Sequence, residues 1–200
     1  MITPQLEDEG DCVNAYPSSG ISLQSGDILC FGDSPQDAIS ILGIPDHITY
    51  CTPEIRSVHS HYGNDYQCDY FYNYFCRGID VLFDSRTHQV KKIVLHTNFP
   101  SHRKFCLYKR CFFRIHLPED EKDDEFQEES SGFSDDSRLI SYLSRLPEIE
   151  EYLGASIEKP HYDDFDENQI FGDSYYHVSE DMIFEVTSNF VLIVSDYGKK

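Results

Sequence analysis

The sequence predicts an α+β fold: two tandem modules, each a helix with an antiparallel meander, joined by an acidic linker. Three observations lead there. First, Val81–Asp84 runs through a polar turn into Val90–Val94, and 101 residues later Met182–Glu185 runs through Thr187–Asn189 into Val191–Val194. Second, each of these hairpins follows a short amphipathic stretch ending in Leu-Gly: Ala38, Ile41, Leu42 and Gly43, then Ile149, Tyr152, Leu153 and Gly154. Third, a run of acids and small polar residues lies between the copies. A unit written twice is sought before any motif is believed, because it sets the architecture.

The elements follow in chain order. Residues 1–20 read as a disordered N-terminus, and 21–117 as the first module. Ile21–Phe31 is a strand interrupted at Gly26-Asp27. Ser34 caps a helix with Pro35 in its first position, where the missing N–H costs nothing. Gly43 ends that helix as a left-handed cap and Pro45 stops it resuming. Ile48–Cys51 and the aromatic-rich Asp69–Cys76 are strands flanking a polar loop with His59, His61, Gly63 and Asn64. Gly78 separates the second of them from the hairpin. Phe105–Leu117 alternates as a strand, with Phe105, Leu107, Cys111, Phe113 and Ile115 on one face, Lys109 being the exception there, and Tyr108, Arg110, Arg114 and His116 on the other. Residues 118–137 form the acidic linker, and 138–200 the second module. There the helix follows Ser144 with Pro147 in its first turn, a strand covers Tyr175–Val178, and parity places Met182 and Phe184 on the same face as Val81 and Phe83.

Composition narrows the function classes. The chain has 200 residues, 40% of them hydrophobic and 14% aromatic, enough for sizeable cores. No apolar run approaches the roughly 20 residues of a membrane span, and the N-terminus lacks signal-peptide character. Seven cysteines, an odd number without a tight framework, suit a reducing compartment, so a cytosolic location is expected. A net charge of −20 argues against nucleic acid as a partner. That charge is unevenly spread. Ser85–Leu117 contains no Asp or Glu, yet holds 8 of the 16 basic residues. The candidate partner-binding residues come from this basic stretch: Arg103, Lys104, Tyr108, Arg110, Arg114 and His116.

Catalytic and metal-binding readings find less support. Ile28–Ser34 looks like the first block of the GDSL-type esterases, with Ser34 as nucleophile. That chemistry needs a histidine base, an orienting acid and an oxyanion hole. The family's Gly-x-Asn and Asp-x-x-His markers are missing, and a helix cap explains the serine. His59, His61 and Cys68 share a loop, and of tight paired zinc-ligand spacings only Cys106-x4-Cys111 qualifies, where opposite strand parity would point the two thiols to different faces. No catalytic residue, metal ligand or cofactor is expected.

Phe31-Gly32-Asp33-Ser34 with Asp37, Leu42-Gly43 with Pro45, Asp69–Phe75 and Leu95–Pro100 together resemble the phagophore (phagosome) assembly factor family. Cys111, Leu153-Gly154, Lys159-Pro160, Phe171-Gly172 and Met182–Val186 extend the resemblance over Leu23–Tyr197. It is to the C-terminal half of the family. The chain departs from the family pattern at Leu146, where a Trp is usual, and around Val178, where a Gly is usual. The resemblance implies a non-enzymatic cytosolic adaptor of autophagy. Its implied partner is a WD-repeat β-propeller protein, breast carcinoma amplified sequence three, through which membrane association would be indirect. The resemblance also carries an alternative association with Golgi-to-plasma-membrane traffic. Weak phosphoinositide binding through the basic strand face is a further alternative.

Overall fold

The computed structural model describes residues 12–51, 69–100, 105–117, 140–153, 161–162, 175–179, 182–187 and 190–197. In chain order these form β1 (Val13–Tyr16), β2 (Gly20–Ser22), β3 (Ile28–Cys30), α1 (Pro35–Leu42), β4 (His47–Tyr50), β5 (Tyr70–Tyr74), β6 (Ile79–Phe83) and β7 (Val90–His96). The second half contributes β8 (Phe113–Ile115), β9 (Ile140–Ser141), α2 (Leu146–Leu153), β10 (His161–Tyr162), β11 (Tyr175–Ser179), β12 (Met182–Thr187) and β13 (Phe190–Tyr197). Among the described residues, two helices and two sheets make the mixed α+β fold the sequence predicts.

The sheets do not respect the predicted module boundary. One has five strands in the order β3-β2-β1-β8-β9, and the other has eight in the order β10-β11-β12-β13-β7-β6-β5-β4. Strands from both halves therefore share each sheet. The junction of the larger one is the antiparallel pair β7–β13, and its register is symmetric about the internal repeat. Val94 pairs with Ser195, its own counterpart 101 residues on, while Ile93 and Leu95 pair with Asp196 and Val194, the counterparts of each other. An approximate two-fold axis thus runs through Val94 and Ser195. β1 lies within the stretch expected to be disordered and occupies the middle of the smaller sheet, paired in parallel with β8. The expected linker, residues 118–137, lies outside the described residues, as does the 59–64 loop.

Both predicted hairpins form, and each carries a bulge opposite an equivalent residue. Lys91 is skipped between Val90 and Lys92 in one, Leu192 between Val191 and Ile193 in the other. Their registers nevertheless differ. Ile79 pairs with Leu95, but it is Met182 that pairs with Asp196, whose counterpart is Leu95. Met182 therefore takes the place of Ile79 rather than of Val81. The physical reason is turn length: six residues separate β6 from β7, and two separate β12 from β13. A slip of two preserves side-chain parity, so the inward face survives it. Val81, Phe83, Met182 and Phe184 all enter one buried cluster, each at most 3% exposed.

That cluster lies between the sheets. Val13, Ala15, Ile21, Leu29, Phe113 and Ile115 from the smaller sheet meet Ile79, Val81, Phe83, Ile93 and Leu95 from the larger, with Ala38 and Leu42 of α1 and Ile149 of α2 completing it. Each fully buried Phe or Ile contributes about 1.5–3 kcal/mol relative to exposure. β6 is buried at all five positions, because its second face is covered as well. Phe71, Leu82 and Val94 form a smaller apolar cluster on that second face.

Local chemistry sets α1. The Ser34 hydroxyl accepts from the Asp37 N–H at 3.3 Å, and the Asp37 carboxylate accepts from the Ser34 N–H at 2.9 Å, a reciprocal capping box. The Ser34 hydroxyl also donates to that carboxylate at 2.6 Å. These bonds from Ser34 hold the Asp37 carboxyl below the usual carboxylate range. Gly43 closes the helix through its N–H to the Ile39 carbonyl, but its φ of 89° and ψ of −171° are not the left-handed helical cap expected. The chain leaves the helix in the extended mirror region that glycine alone enters freely. Replacing Ser34 by Ala should cost about 1 kcal/mol in urea unfolding, whereas Ser34→Asn should stay near the parent. Equal losses from the two substitutions would show that the hydroxyl does more than cap.

Candidate interaction surface and a buried polar cluster

The basic stretch does not form one strand. β8 covers only Phe113–Ile115, and residues 105–107 form a turn in which Phe105 and Leu107 are 42% and 51% exposed. Tyr108, expected on the solvent face, is 3% exposed. The alternation is inverted at this end because a polar group inside the fold competes for Tyr108. Its hydroxyl lies 2.7 and 2.9 Å from the two carboxylate oxygens of Asp80.

Asp80 organises a closed network on the second face of the larger sheet. Asn73 Nδ2 donates to Asp80 Oδ1 at 2.8 Å, and Thr49 Oγ1 donates to Asn73 Oδ1 at 2.7 Å. His96 Nε2 lies 2.8 Å from Asp80 Oδ2. The His96 and Tyr108 rings stack at 3.8 Å, and Phe75 meets Tyr108 edge-on at 5.0 Å. Register brings the group together: Asn73 pairs with Asp80, and His96 lies two residues along β7 from Val94, the partner of Asp80. Burial raises the Tyr108 phenol well above its ordinary range, and the adjacent Asp80 carboxylate adds to the effect. A His-Asp-Tyr arrangement resembles a catalytic constellation. Here Asn73, Asp80, His96 and Tyr108 are each at most 5% exposed, so the group is shielded from solvent.

What the cluster does is hold residues 108–111 against the sheet. Lys109 N–H donates to the Phe75 carbonyl and Cys111 N–H to the His96 carbonyl, both at 2.8 Å. Gly78, with φ of 69°, permits the approach: a Cβ there would sit 2.3 Å from the Lys109 carbonyl oxygen. Arg110 is exposed and donates from Nε to the Thr97 carbonyl at 3.3 Å. Arg114 and His116 lie elsewhere, at the outer face of the smaller sheet. His116 Nε2 is 2.9 Å from Asn14 Oδ1, and its ring stacks on Tyr16 at 5.0 Å. Four of the six predicted residues thus divide between a buried latch (Tyr108), a sheet rim (Arg110) and a separate open face (Arg114 and His116), while Arg103 and Lys104 lie outside the described residues. Sequence reasoning passed over Asp80, an acid within an apolar hairpin strand, which was the available signal for the cluster.

The other reactive groups are quiet. The Ser34 hydroxyl is engaged with Asp37, and among the described residues no histidine bonds to it. Cys111 is buried, and that burial raises its thiol far above the ordinary range. Burial likewise pushes Cys51 up to about 11. Both are poor nucleophiles at neutral pH. Among the described residues no group of three or more His, Cys, Asp or Glu could hold a metal ion, while His59, His61 and Cys68 lie outside them.

Two tyrosines give opposite expectations. Tyr108→Phe removes a donor from the buried Asp80 carboxylate and should cost about 1–3 kcal/mol in urea unfolding. Tyr74 is 2% exposed, and among the described residues its hydroxyl has no partner. Tyr74→Phe should therefore be neutral or stabilising. A reversed order of the two stabilities would contradict the network. The folded protein also holds the phenols of Tyr70, Tyr74 and Tyr108, and the thiols of Cys51 and Cys111, above their ordinary values. Stability from a raised group is complete below its unfolded value and is lost as pH rises through the folded one. With unfolded thiols near about 8.5 and phenols near about 10, the melting temperature should fall progressively from about pH 9 to 11. A flat profile there would refute the sign.

The matches to known proteins cover most of this architecture. The family model described as phagosome assembly factor 1 matches residues 18–194. A PHAF1 protein of Drosophila melanogaster is 33% identical over 171 residues, 80% of this chain and 39% of the relative. One from Arabidopsis thaliana is 34% identical over 170 residues, 82% of this chain and 39% of that protein. One from Caenorhabditis elegans is 39% identical over 119 residues, covering 54% and 28% respectively. The matches with the fly and plant relatives thus span about two fifths of the relatives' length. No solved structure matches the chain. Matched along nearly its whole described fold, the chain belongs to the phagosome assembly factor 1 family.

Proposed function

We propose that this chain acts as a non-enzymatic adaptor in phagosome assembly, working through protein–protein contacts and recruited to phagophore assembly sites. The observation that carries this reading is the family match over residues 18–194, which takes in both helices and strands of both sheets. The chemistry is compatible with it. The His-Asp-Tyr group is closed and engaged in holding a segment, and Ser34 is engaged in capping a helix. Among the described residues no helix is long and apolar enough to cross a membrane. The proposed contact is with a WD-repeat β-propeller protein, through which membrane association would be indirect.

Two measurements test this. A fluorescently tagged full chain should collect at phagophore puncta when starved cells induce autophagy, and the purified chain should bind the purified propeller protein. A tag that stays diffuse under starvation would overturn the recruitment. Recruitment without propeller binding would leave the family role standing and replace the partner.

A further inference from the structure

We infer that the outer face of the five-stranded sheet is a docking surface for an acidic, extended protein segment, with Arg114 as its charged anchor. The inner face of this sheet is spent on the core: Val13, Ala15, Ile21, Leu29, Phe113 and Ile115 are all buried. Period-two alternation turns the intervening residues outward. Ladder register lines them up in two rows. In one, Ser22, Asn14, Arg114 and Ser141 are cross-strand neighbours, with Ile28 at the end, 58% exposed. The other holds Cys30 opposite Gly20 opposite Tyr16, beside the His116 ring.

Charge selects the occupant. Neither row contains an Asp or Glu, although the chain has 36 of them. Arg114 is exposed, and among the described residues its side chain makes no hydrogen bond or ion pair. An arginine fork free of internal partners fits a carboxylate through two parallel hydrogen bonds. The Tyr16–His116 stack alongside, with Tyr16 39% exposed, offers a flat aromatic surface for the apolar side chains of the same segment. A lipid surface would need several basic side chains in one plane, and these rows supply one. Arg110, bonded at the other sheet to Thr97, lies outside the rows.

The inference rests on the adaptor reading only in requiring a protein partner, and its test reads the face itself. A labelled ten-residue peptide alternating glutamate and valine is titrated into the full chain and followed by fluorescence anisotropy. Binding should weaken at least about tenfold in Arg114→Glu, persist in Lys109→Glu, and decline with added salt. Lys109 is the control because it is exposed and comes from the same acid-free stretch, but lies off this face. If Arg114→Glu does not fold, as judged by its thermal melt, Ile28→Glu takes its place with the same expectation. Equal loss in Lys109→Glu would overturn the inference in favour of diffuse charge attraction, and so would an absence of peptide binding. Arg114-dependent binding to phosphatidylserine vesicles without peptide binding would overturn it in favour of a membrane. Peptide binding with failed cellular recruitment would instead count against the adaptor role alone.

Discussion

The antiparallel pairing of β7 with β13 is the constraint on which the rest of this fold depends. Each copy of the repeated hairpin ends in a strand, of seven residues in one and eight in the other. Left alone, each would expose a row of N–H and C=O groups at a sheet edge, an invitation to pair with another chain. Joining the two edges satisfies both rows and places the repeat axis at Val94 and Ser195. It also presents Ile93 and Leu95 to the core beside Met182 and Phe184. The smaller sheet then closes over this composite face, and its own order, with β1 beside β8, again mixes the halves. Two separately closed modules would have needed two cores. The described residues instead build one main core between the two sheets, and surface-to-volume scaling favours that choice at this length.

A second consequence of the wide sheet is its other face. With one side packed on the smaller sheet, the strands β5, β6 and β7 turn Asn73, Asp80 and His96 to the opposite side. A carboxylate there is tolerable because its oxygens accept from Tyr108, Asn73 and His96. Low local dielectric strengthens such bonds, and it also raises the cost of losing any one of them. The network therefore behaves as a unit. It requires Tyr108 to turn inward, and that in turn lifts Phe105 and Leu107 into solvent and ends the strand expected there.

Legibility followed locality. Everything that specifies α1 lies within ten residues, in Ser34, Pro35, Asp37 and Gly43, and the helix was readable apart from the conformation of its last glycine. The hairpins were readable because two-residue slips keep parity and the extra residues, Lys91 and Leu192, fall on the strands opposite Phe83 and Phe184, so those two share a face whatever the register. β1 was not readable. Its four residues follow an acidic start, and they are ordered by a parallel partner about a hundred positions away, as the Asn14–His116 bond marks. Sharing of sheets between the halves was hidden for the same reason: the repeat announces two similar units and says nothing about whether they close separately. The candidate site was half legible. Exposure of Arg110 and Arg114 followed from alternation, but their separation onto different sheets followed from Asp80 capturing Tyr108.

That separation changes how the charge of the chain should be understood. Eight basic residues without an acid, within a chain of net charge −20, suggest a broad basic field. At physiological salt the screening length is about 8 Å, so what each basic group meets nearby matters more than the summed charge of the segment. Each reaches only its immediate surroundings, and these differ. Arg110 lies against a backbone carbonyl, and Lys91 lies 3.2 Å from the buried Asp69 carboxylate and 3.5 Å from Asp84. Arg114 alone among these three stands on an open sheet face, in a row without acids and with no partner among the described residues. An acid-free stretch of sequence thus serves two ends. Part of it neutralises carboxylates at the start of β5 and in the β6–β7 turn, and part stands exposed. Composition sees a single basic segment, whereas folding divides it between internal counter-charge and side chains on separate exposed faces.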